Sequence, residues 1–177
     1  DILVLSGSIP ESISKSIYKE LSENVKADVE IVLDTRGNLL QNNIHGNFFI
    51  KPNIHELRDM FNENLETKEE IVKKCSFFLE RRVKNIIISR GGDGALLVNK
   101  EFVLEASVPE GELINSIGAG DSMVAGFIAG HVKGYSVENS FRLAVASGSA
   151  TAYSYGLAEK ELVEKLYKEI KIIKESV

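Results

Sequence analysis

The 177-residue chain predicts an α/β domain whose largely parallel sheet is covered by helices on both faces, and three observations carry that prediction. Short runs that are apolar at every position, such as Ile2-Leu3-Val4-Leu5 and Ile86-Ile87-Ile88, read as strands buried on both faces. Other segments carry apolar residues three and four apart, the mark of amphipathic helices. The two kinds alternate along the chain, as they do in βαβ units, whose crossover helices make the strands parallel and cover the sheet on both sides. A hydrophobic content of 44% supplies the core.

The first strand opens at once, Asp1-Ile2-Leu3-Val4-Leu5, with no initiating Met. A strand buried on both faces needs neighbours, so the sequence is expected to be a portion of a longer protein. Ser6-Gly7-Ser8-Ile9-Pro10 is turn chemistry, and Ile13, Ile17 and Leu21 then recur at four-residue spacing, which predicts an amphipathic helix. Residues 29–33 form a second buried strand ending at Asp34, the stretch to Gly46 holds a further helix, and Phe48-Phe49-Ile50 is a third strand. Pro52 cannot donate to a ladder and presets helical φ, so a helix begins near Asn53 with Leu57, Met60 and Phe61 on its apolar face. Thr67 and Glu70 make a capping box ahead of Ile71, Cys75, Phe78 and Leu79. Residues 85–89 are another strand, joined through the tight turn Gly91-Gly92-Asp93-Gly94 to an extended run at 95–98. Residues 101–117 read as short strand and loop, punctuated by Pro109 and Gly111. After Gly118-Ala119-Gly120 the chain is helical almost to its end. Small residues there (Ala125, Gly126, Ala129, Gly130, Ala144, Ala146, Gly148) allow close packing, and Leu162, Val163, Leu166 and Ile170 mark a last amphipathic helix. No repeat, low-complexity tract or linker divides the chain.

The 21 basic and 26 acidic residues leave a net charge of -5, so no positive field favours nucleic acid or an anionic membrane. Cys75 is the single cysteine, which excludes an internal disulfide and a multi-cysteine zinc site, and a reducing cytoplasmic setting is expected. No apolar run approaches the roughly 20 residues of a spanning helix, and the opening residues lack the pattern of a secretory signal. No membrane partner is expected.

Ligands of open α/β sheets bind at the carboxyl ends of the strands, where residues 6–10, Asp34 and residues 51–56, 89–94 and 118–121 all fall. The richest stretch is Asn115-Ser116-Ile117-Gly118-Ala119-Gly120-Asp121-Ser122. Small residues ahead of a long helix leave its first amides open, and those amides and the helix dipole favour a phosphate or a developing negative charge. The plainer alternative is that Asp121 serves the helix end and the glycines only permit packing. A Walker loop is absent. A dinucleotide fingerprint is disfavoured, because Met123 stands where a small residue is needed. Asn53 and Glu56, three apart at a helix start, offer hard oxygens that suit Mg²⁺ through water, or else are a cap residue and a solvated glutamate. Residues 89–94 offer backbone amides to a phosphate, or form a plain hairpin. Ser8 and Lys51 stand on the same rim with either role open. His45, His55 and His131 lack ligand spacing and, with Cys75, read as structural or surface residues.

Four segments in order resemble the ribokinase-like carbohydrate kinases, the PfkB family: Ser6-Gly7-Ser8-Ile9-Pro10, Lys51-Pro52-Asn53-Ile54-His55-Glu56-Leu57, Ser89-Arg90-Gly91-Gly92-Asp93-Gly94-Ala95, and residues 115–126, which are similar to the family's C-terminal signature. The likeness runs through essentially the whole chain. It implies a ribokinase-like three-layer fold, with residues 1–177 as the C-terminal portion of a single kinase domain, its ATP-binding and catalytic half. Leu113-Ile114-Asn115 and Ala146-Ser147-Gly148-Ser149-Ala150-Thr151-Ala152 look most like the 1-phosphofructokinase branch, with the tagatose-6-phosphate kinases beside it. The implied reaction is ATP-dependent phosphorylation of a sugar phosphate, fructose 1-phosphate to fructose 1,6-bisphosphate.

Carried over residue by residue, Asp121 is implied to meet the sugar hydroxyl and take its proton, and the amides of Gly118, Ala119 and Gly120 to hold the transferring phosphoryl group. Asn53 and Glu56 match an Asn-x-x-Glu element that positions Mg²⁺ and the nucleotide phosphates through water, in the cofactor-binding segment that Lys51 opens. Ser89, Gly91 and Gly94 match the nucleotide loop, Ser147 and Gly148 the adenine pocket, and Ser8 a sugar-phosphate contact. The backbone around Asn115, Ile117, Thr151 and Ser154 matches a monovalent-cation site, which implies K⁺. The family's chain is longer. Its amino-terminal part carries most sugar contacts and a small β-sheet lid that closes the site and often makes a dimer. The intact protein is therefore expected to be a kinase that dimerises through that lid, and the 177-residue piece alone to be inactive. Arg90 stands where Leu is more usual, which either alters the phosphate loop or leaves the side chain exposed. A non-catalytic nucleotide-binding module is the main alternative of a different class.

Overall fold

The computed structural model describes residues 1–176. Seven strands form one sheet in the order β1 (Ile2–Ser6), β2 (Glu30–Asp34), β3 (Phe49–Ile50), β4 (Asn85–Ser89), β5 (Ala95–Val98), β6 (Phe102–Ala106) and β7 (Ile172–Ser176). The described chain divides into two compact units, residues 1–88 with 98–103, and residues 89–97 with 104–176.

In the first unit β1 to β4 pair in parallel, with Ser6 opposite Asp34 and Leu33 opposite Ile50. That register brings the loops leaving β1, β2 and β3 out on one rim. Burial on both faces holds for β2 to β4, where Val32, Phe49, Ile50 and Ile86 to Ile88 are fully buried. It does not hold for β1, whose Val4 is 44% exposed.

The connecting helices are α1 (Ile17–Glu23), α2 (Gly37–Asn43), α3 (Ile54–Phe61) and α4 (Lys68–Glu80). The expected stripe of Ile13, Ile17 and Leu21 does not face the core. Residues 10–17 turn twice before the helix begins, so Ile13 is not stacked above Ile17, and Ile13 and Leu21 are both exposed. Tyr18 is the buried residue of α1, and its hydroxyl donates to the Ser6 carbonyl at 2.8 Å. Buried Asn43 accepts from the Lys19 amide and donates to the Lys15 carbonyl, which ties α2 to the start of α1. Both expected caps are formed. Asn53 and Glu56 close α3, and Thr67 and Glu70 close α4. The Thr67 and Glu66 amides hold the Glu70 carboxyl below its ordinary value, so this cap is fully made above the carboxylate range and weakens as pH falls through the depressed value.

The second unit carries α5 (Ala119–Val132), α6 (Val137–Ala152) and α7 (Lys160–Glu169). The short links 90–94 and 99–101 admit only antiparallel neighbours at β4–β5 and β5–β6. The last strand, β7, was not expected, since the helical pattern reads on through Ile170. Ile170 is extended at the end of α7, and the β-branched Ile172 and Ile173 follow it into the sheet. The Ser107 amide donates to the Lys171 carbonyl just beyond the end of β6 and just before β7, as between antiparallel strands. Helices α5 and α6 pack closely: a Cβ on Gly126 would stand 2.7 Å from the Leu143 carbonyl oxygen, and one on Gly130 2.8 Å from the Ser140 Cα. No helix among the described residues is long and apolar enough to cross a membrane.

Cys75 lies on the buried stripe of α4, where loss of solvent pushes its thiol up to about 12. The thiolate is the reactive form, so iodoacetamide at pH 8 is expected to leave the Cys75 peptide unlabelled in the native protein and to label it fully in denaturant. Rapid native labelling, read by mass spectrometry, would contradict this burial.

Candidate active site

On the rim of the first unit, the Gly7 amide donates to the Asp34 carbonyl and the Thr35 hydroxyl to the Gly7 carbonyl, which fixes the turn carrying exposed Ser8 beside the end of β2. Lys51 follows β3 and is buried. Its ammonium lies 3.6 Å from Asp34, the counter-charge that makes a buried lysine tolerable. Asp34, noted on the rim from the sequence, thereby gains a partner that spacing did not foretell. Two residues on, the Asn53 side chain accepts from the Glu56 amide at 2.8 Å, and the Glu56 carboxylate accepts from the Asn53 amide at 2.9 Å. The second Glu56 oxygen has no partner among the described residues, which also hold no cluster of three or more His, Cys, Asp or Glu able to cage a metal. This donor set fits Mg²⁺ as a carboxylate acting through water and does not fit direct enclosure.

In the second unit, the loop after β4 is a tight 3-10 turn at Gly91–Asp93. Gly94 sits at φ 83°, and a Cβ there would overlap the Ala106 carbonyl oxygen on β6. The Arg90 amide donates to the Gly94 carbonyl at 2.8 Å, and the Arg90 guanidinium pairs with Glu105 of β6 at 2.8 Å. Arg90 is therefore not an exposed substitution; it braces the loop against its neighbouring strand. Ser89 is half-buried at the strand end, while Gly91 and Gly92 are exposed, with amides that meet no acceptor among the described residues.

Helix α5 starts without a side-chain cap. Gly118 takes the N-cap position in the left-handed region, at φ 79°, and the first helical bond runs from the Ser122 amide to the Gly118 carbonyl at 2.9 Å. The expected set of open amides changes by one. The Ala119 amide is taken by the Ser116 carbonyl at 3.2 Å, leaving Gly118, Gly120 and Asp121 as the amides without an acceptor among the described residues. Asp121 is exposed in the first turn, so carboxylate and open donors share one helix end. Ser147 and Gly148 lie in the middle of α6 and serve its seam with α5: the Gly126 face rests on the Ser147 hydroxyl, and a Cβ on Gly148 would overlap Met123. The segments at 115 and 151–154 meet, since the Ile114 and Asn115 amides both donate to the Ala152 carbonyl. Tyr153 anchors the preceding loop through a 2.7 Å bond to the Pro109 carbonyl, and burial raises its phenol.

The pfkB family carbohydrate kinase pattern matches residues 1–164. The chain belongs to the pfkB family of carbohydrate kinases. It is 45% identical over 174 residues to the 1-phosphofructokinase of Bacillus subtilis, covering 97% of this chain and 57% of that protein. It is 33% identical to the D-tagatose-1-phosphate kinase of Bacillus licheniformis, covering 96% of this chain and 57% of that one. The structure of Escherichia coli phosphofructokinase-2 in complex with potassium superposes with a TM-score of 0.87 at 28% identity, over 94% of this chain and 56% of that chain. This chain thus spans a little over half the length of these relatives. Its α/β architecture is the ribokinase-like fold.

The two glycines that shape the site differ in what surrounds them. Gly94→Ala meets backbone and is expected to cost about 3 kcal/mol, whereas Gly118→Ala keeps a left-handed backbone but meets only the flexible Leu157 side chain at 3.4 Å and should cost about 1 kcal/mol. Urea denaturation of the intact protein measures both, and equal costs would contradict the packing of Gly94 on β6.

Proposed function

We propose that the protein containing this chain transfers the γ-phosphoryl group of ATP to fructose 1-phosphate, giving fructose 1,6-bisphosphate and ADP in the cytoplasm. The observation that carries the reading is the start of α5, where an exposed carboxylate and three open amides share one helical turn in a pfkB family chain. Phosphoryl transfer asks a protein mainly for alignment and charge stabilisation. Asp121 receives the proton of the attacking C6 hydroxyl as the oxygen–phosphorus bond forms, and the bond to the ADP oxygen breaks. The amides of Gly118, Gly120 and Asp121 take up the charge on the phosphoryl oxygens, helped by the helix dipole.

The Gly91 and Gly92 amides and Ser89 receive nucleotide phosphates on a loop stiffened by Gly94 and the Arg90–Glu105 pair. Ser147 and Gly148 set the close packing of α6 behind the nucleotide end. Lys51, held by its ion pair with Asp34, opens the cofactor-binding segment, and Ser8 binds the phosphate of the acceptor. Asn53 and Glu56 would hold Mg²⁺ through water, and the ion when bound neutralises phosphate charge. A K⁺ ion at the backbone of Asn115, Ile117, Thr151 and Ser154 is supported by the potassium complex of the E. coli relative and by the junction of these segments. The acceptor is drawn from the 1-phosphofructokinase and tagatose-1-phosphate kinase relatives, whose named substrates both carry phosphate on carbon 1.

An ATP-coupled assay of the full-length protein with fructose 1-phosphate, tagatose 1-phosphate, tagatose 6-phosphate and fructose 6-phosphate side by side tests the acceptor. Fructose 1-phosphate is expected to give the highest kcat/KM. Asp121→Asn should lower kcat about 10³-fold while ATP binding survives. Unchanged turnover in that variant would overturn the role of Asp121, and a different preferred acceptor would overturn the choice of substrate.

A further inference from the structure

Thr151 is 1% exposed in the last turn of α6, and its side chain reaches two separate pieces of the second unit. Its hydroxyl donates to the Ser122 hydroxyl oxygen at 2.7 Å, in the first turn of α5 directly after Asp121. The same oxygen accepts from the Ala158 amide at 3.1 Å, in the loop that follows α6. Its methyl group lies against the face of Gly118, 3.9 Å from where a Cβ would stand, and Leu157 of the tethered loop covers the same face at 3.4 Å. A threonine in a helix ordinarily returns its hydroxyl to the carbonyl one turn back. Here both hydrogen-bonding directions are spent on contacts outside the helix, one of them 29 residues away in sequence.

The consequence follows from what α5 lacks. Its N-terminus has no side-chain cap, and its N-cap is a glycine, the residue whose backbone is least restrained by its own side chain. Ser122 is the first residue of α5 whose side chain is held from outside, and it is bonded through its own backbone to Asp121 and through its amide to the Gly118 carbonyl. We propose that Thr151 is a positioning residue, whose hydroxyl fixes the Gly118–Ser122 turn, and so the Asp121 carboxylate and the open amides, through Ser122. The inference rests on the catalytic reading of that turn, but the anchoring itself is measurable without turnover.

Two variants of the full-length protein separate this role from plain stability. Thr151→Val keeps the volume and the methyl group and loses both hydrogen bonds; Thr151→Ser keeps the hydroxyl and loses the methyl packing. Thr151→Val is expected to lower kcat about 10-fold with KM for ATP and sugar phosphate within about twofold, because a misplaced group loses rate rather than ground-state binding. Thr151→Ser should retain kcat within about threefold even where it lowers the melting temperature as much. In parallel, hydrogen exchange of a peptide spanning residues 116–124 should quicken about tenfold in Thr151→Val and stay near wild type in Thr151→Ser. Unchanged exchange of that peptide in Thr151→Val overturns the proposal whatever the activity, and so does a kcat that follows melting temperature across both variants. Wild-type protein inactive on every acceptor, with the exchange pattern as expected, would instead refute the kinase reading and leave the anchoring by Thr151 standing.

Discussion

The close approach of α5 to α6 is the constraint on which the candidate site at the start of α5 depends. Two helices whose facing positions carried ordinary side chains would stand roughly 8–10 Å apart. Here Gly126 and Gly130 on one helix and Gly148 on the other leave no room for a Cβ, so backbone meets backbone along the seam. Met123 fills the space over Gly148 and fixes how far α5 is shifted along its neighbour. That shift sets the first turn of α5 beside the last turn of α6, within reach of a side chain as short as threonine. A larger residue at any of the three glycines would push α5 away from α6 and so displace the turn that carries Asp121.

The treatment of helix ends shows where stability has been yielded. Helices α3, α4 and α6 each close their N-terminus with a side chain, and two of these closures are reciprocal capping boxes. Helices α1, α2, α5 and α7 have none; at α5, 14 residues long, a Ser, Asn or Asp N-cap would ordinarily contribute roughly a few tenths of a kcal/mol over glycine. A side-chain cap would occupy the amides of Gly120 or Asp121, which the proposed phosphoryl site uses. Ser116 satisfies the Ala119 amide, so the donors left open are those of Gly118, Gly120 and Asp121. Loss of intrinsic stability at this end is offset by the tertiary anchor on Ser122 and by the packing of the seam.

What was legible in the sequence was local, and what was missed depended on distant neighbours. The cap residue of α3, the capping box of α4, the turn at Gly91 to Gly94 and the apolar strands β2 to β4 each rest on interactions within a few residues or on unbroken apolar runs. The stripe of Ile13, Ile17 and Leu21 misled because spacing has meaning only inside a helix, and α1 begins at Ile17. Strand β7 escaped notice because its pairing partner lies some 65 residues earlier, at Ser107. At the site, Asp121 and the glycines could be read from residue type, but the engagement of the Ala119 amide, the partner of Lys51 and the brace between Arg90 and Glu105 could not. No short-range pattern singles out Thr151 among the small residues of α6.

Arg90 illustrates how a departure from a familiar pattern acquires meaning from its surroundings. A guanidinium on a loop of open amides would compete for the anion those amides bind, or draw it aside. Its pairing with Glu105 directs that charge toward β6 and away from the amides of Gly91 and Gly92. The pair is only partly exposed, with side-chain exposures of 14% and 30%, so solvent screens it less than a surface pair. The loop is thus held at both ends by different means, the Arg90 side chain at its start and the flush contact of Gly94 with Ala106 at its close. In the proposed reaction such donors, fixed in advance, would need no reorganisation on meeting a phosphate, and preorganisation of this kind is what a charge-stabilising loop contributes to phosphoryl transfer.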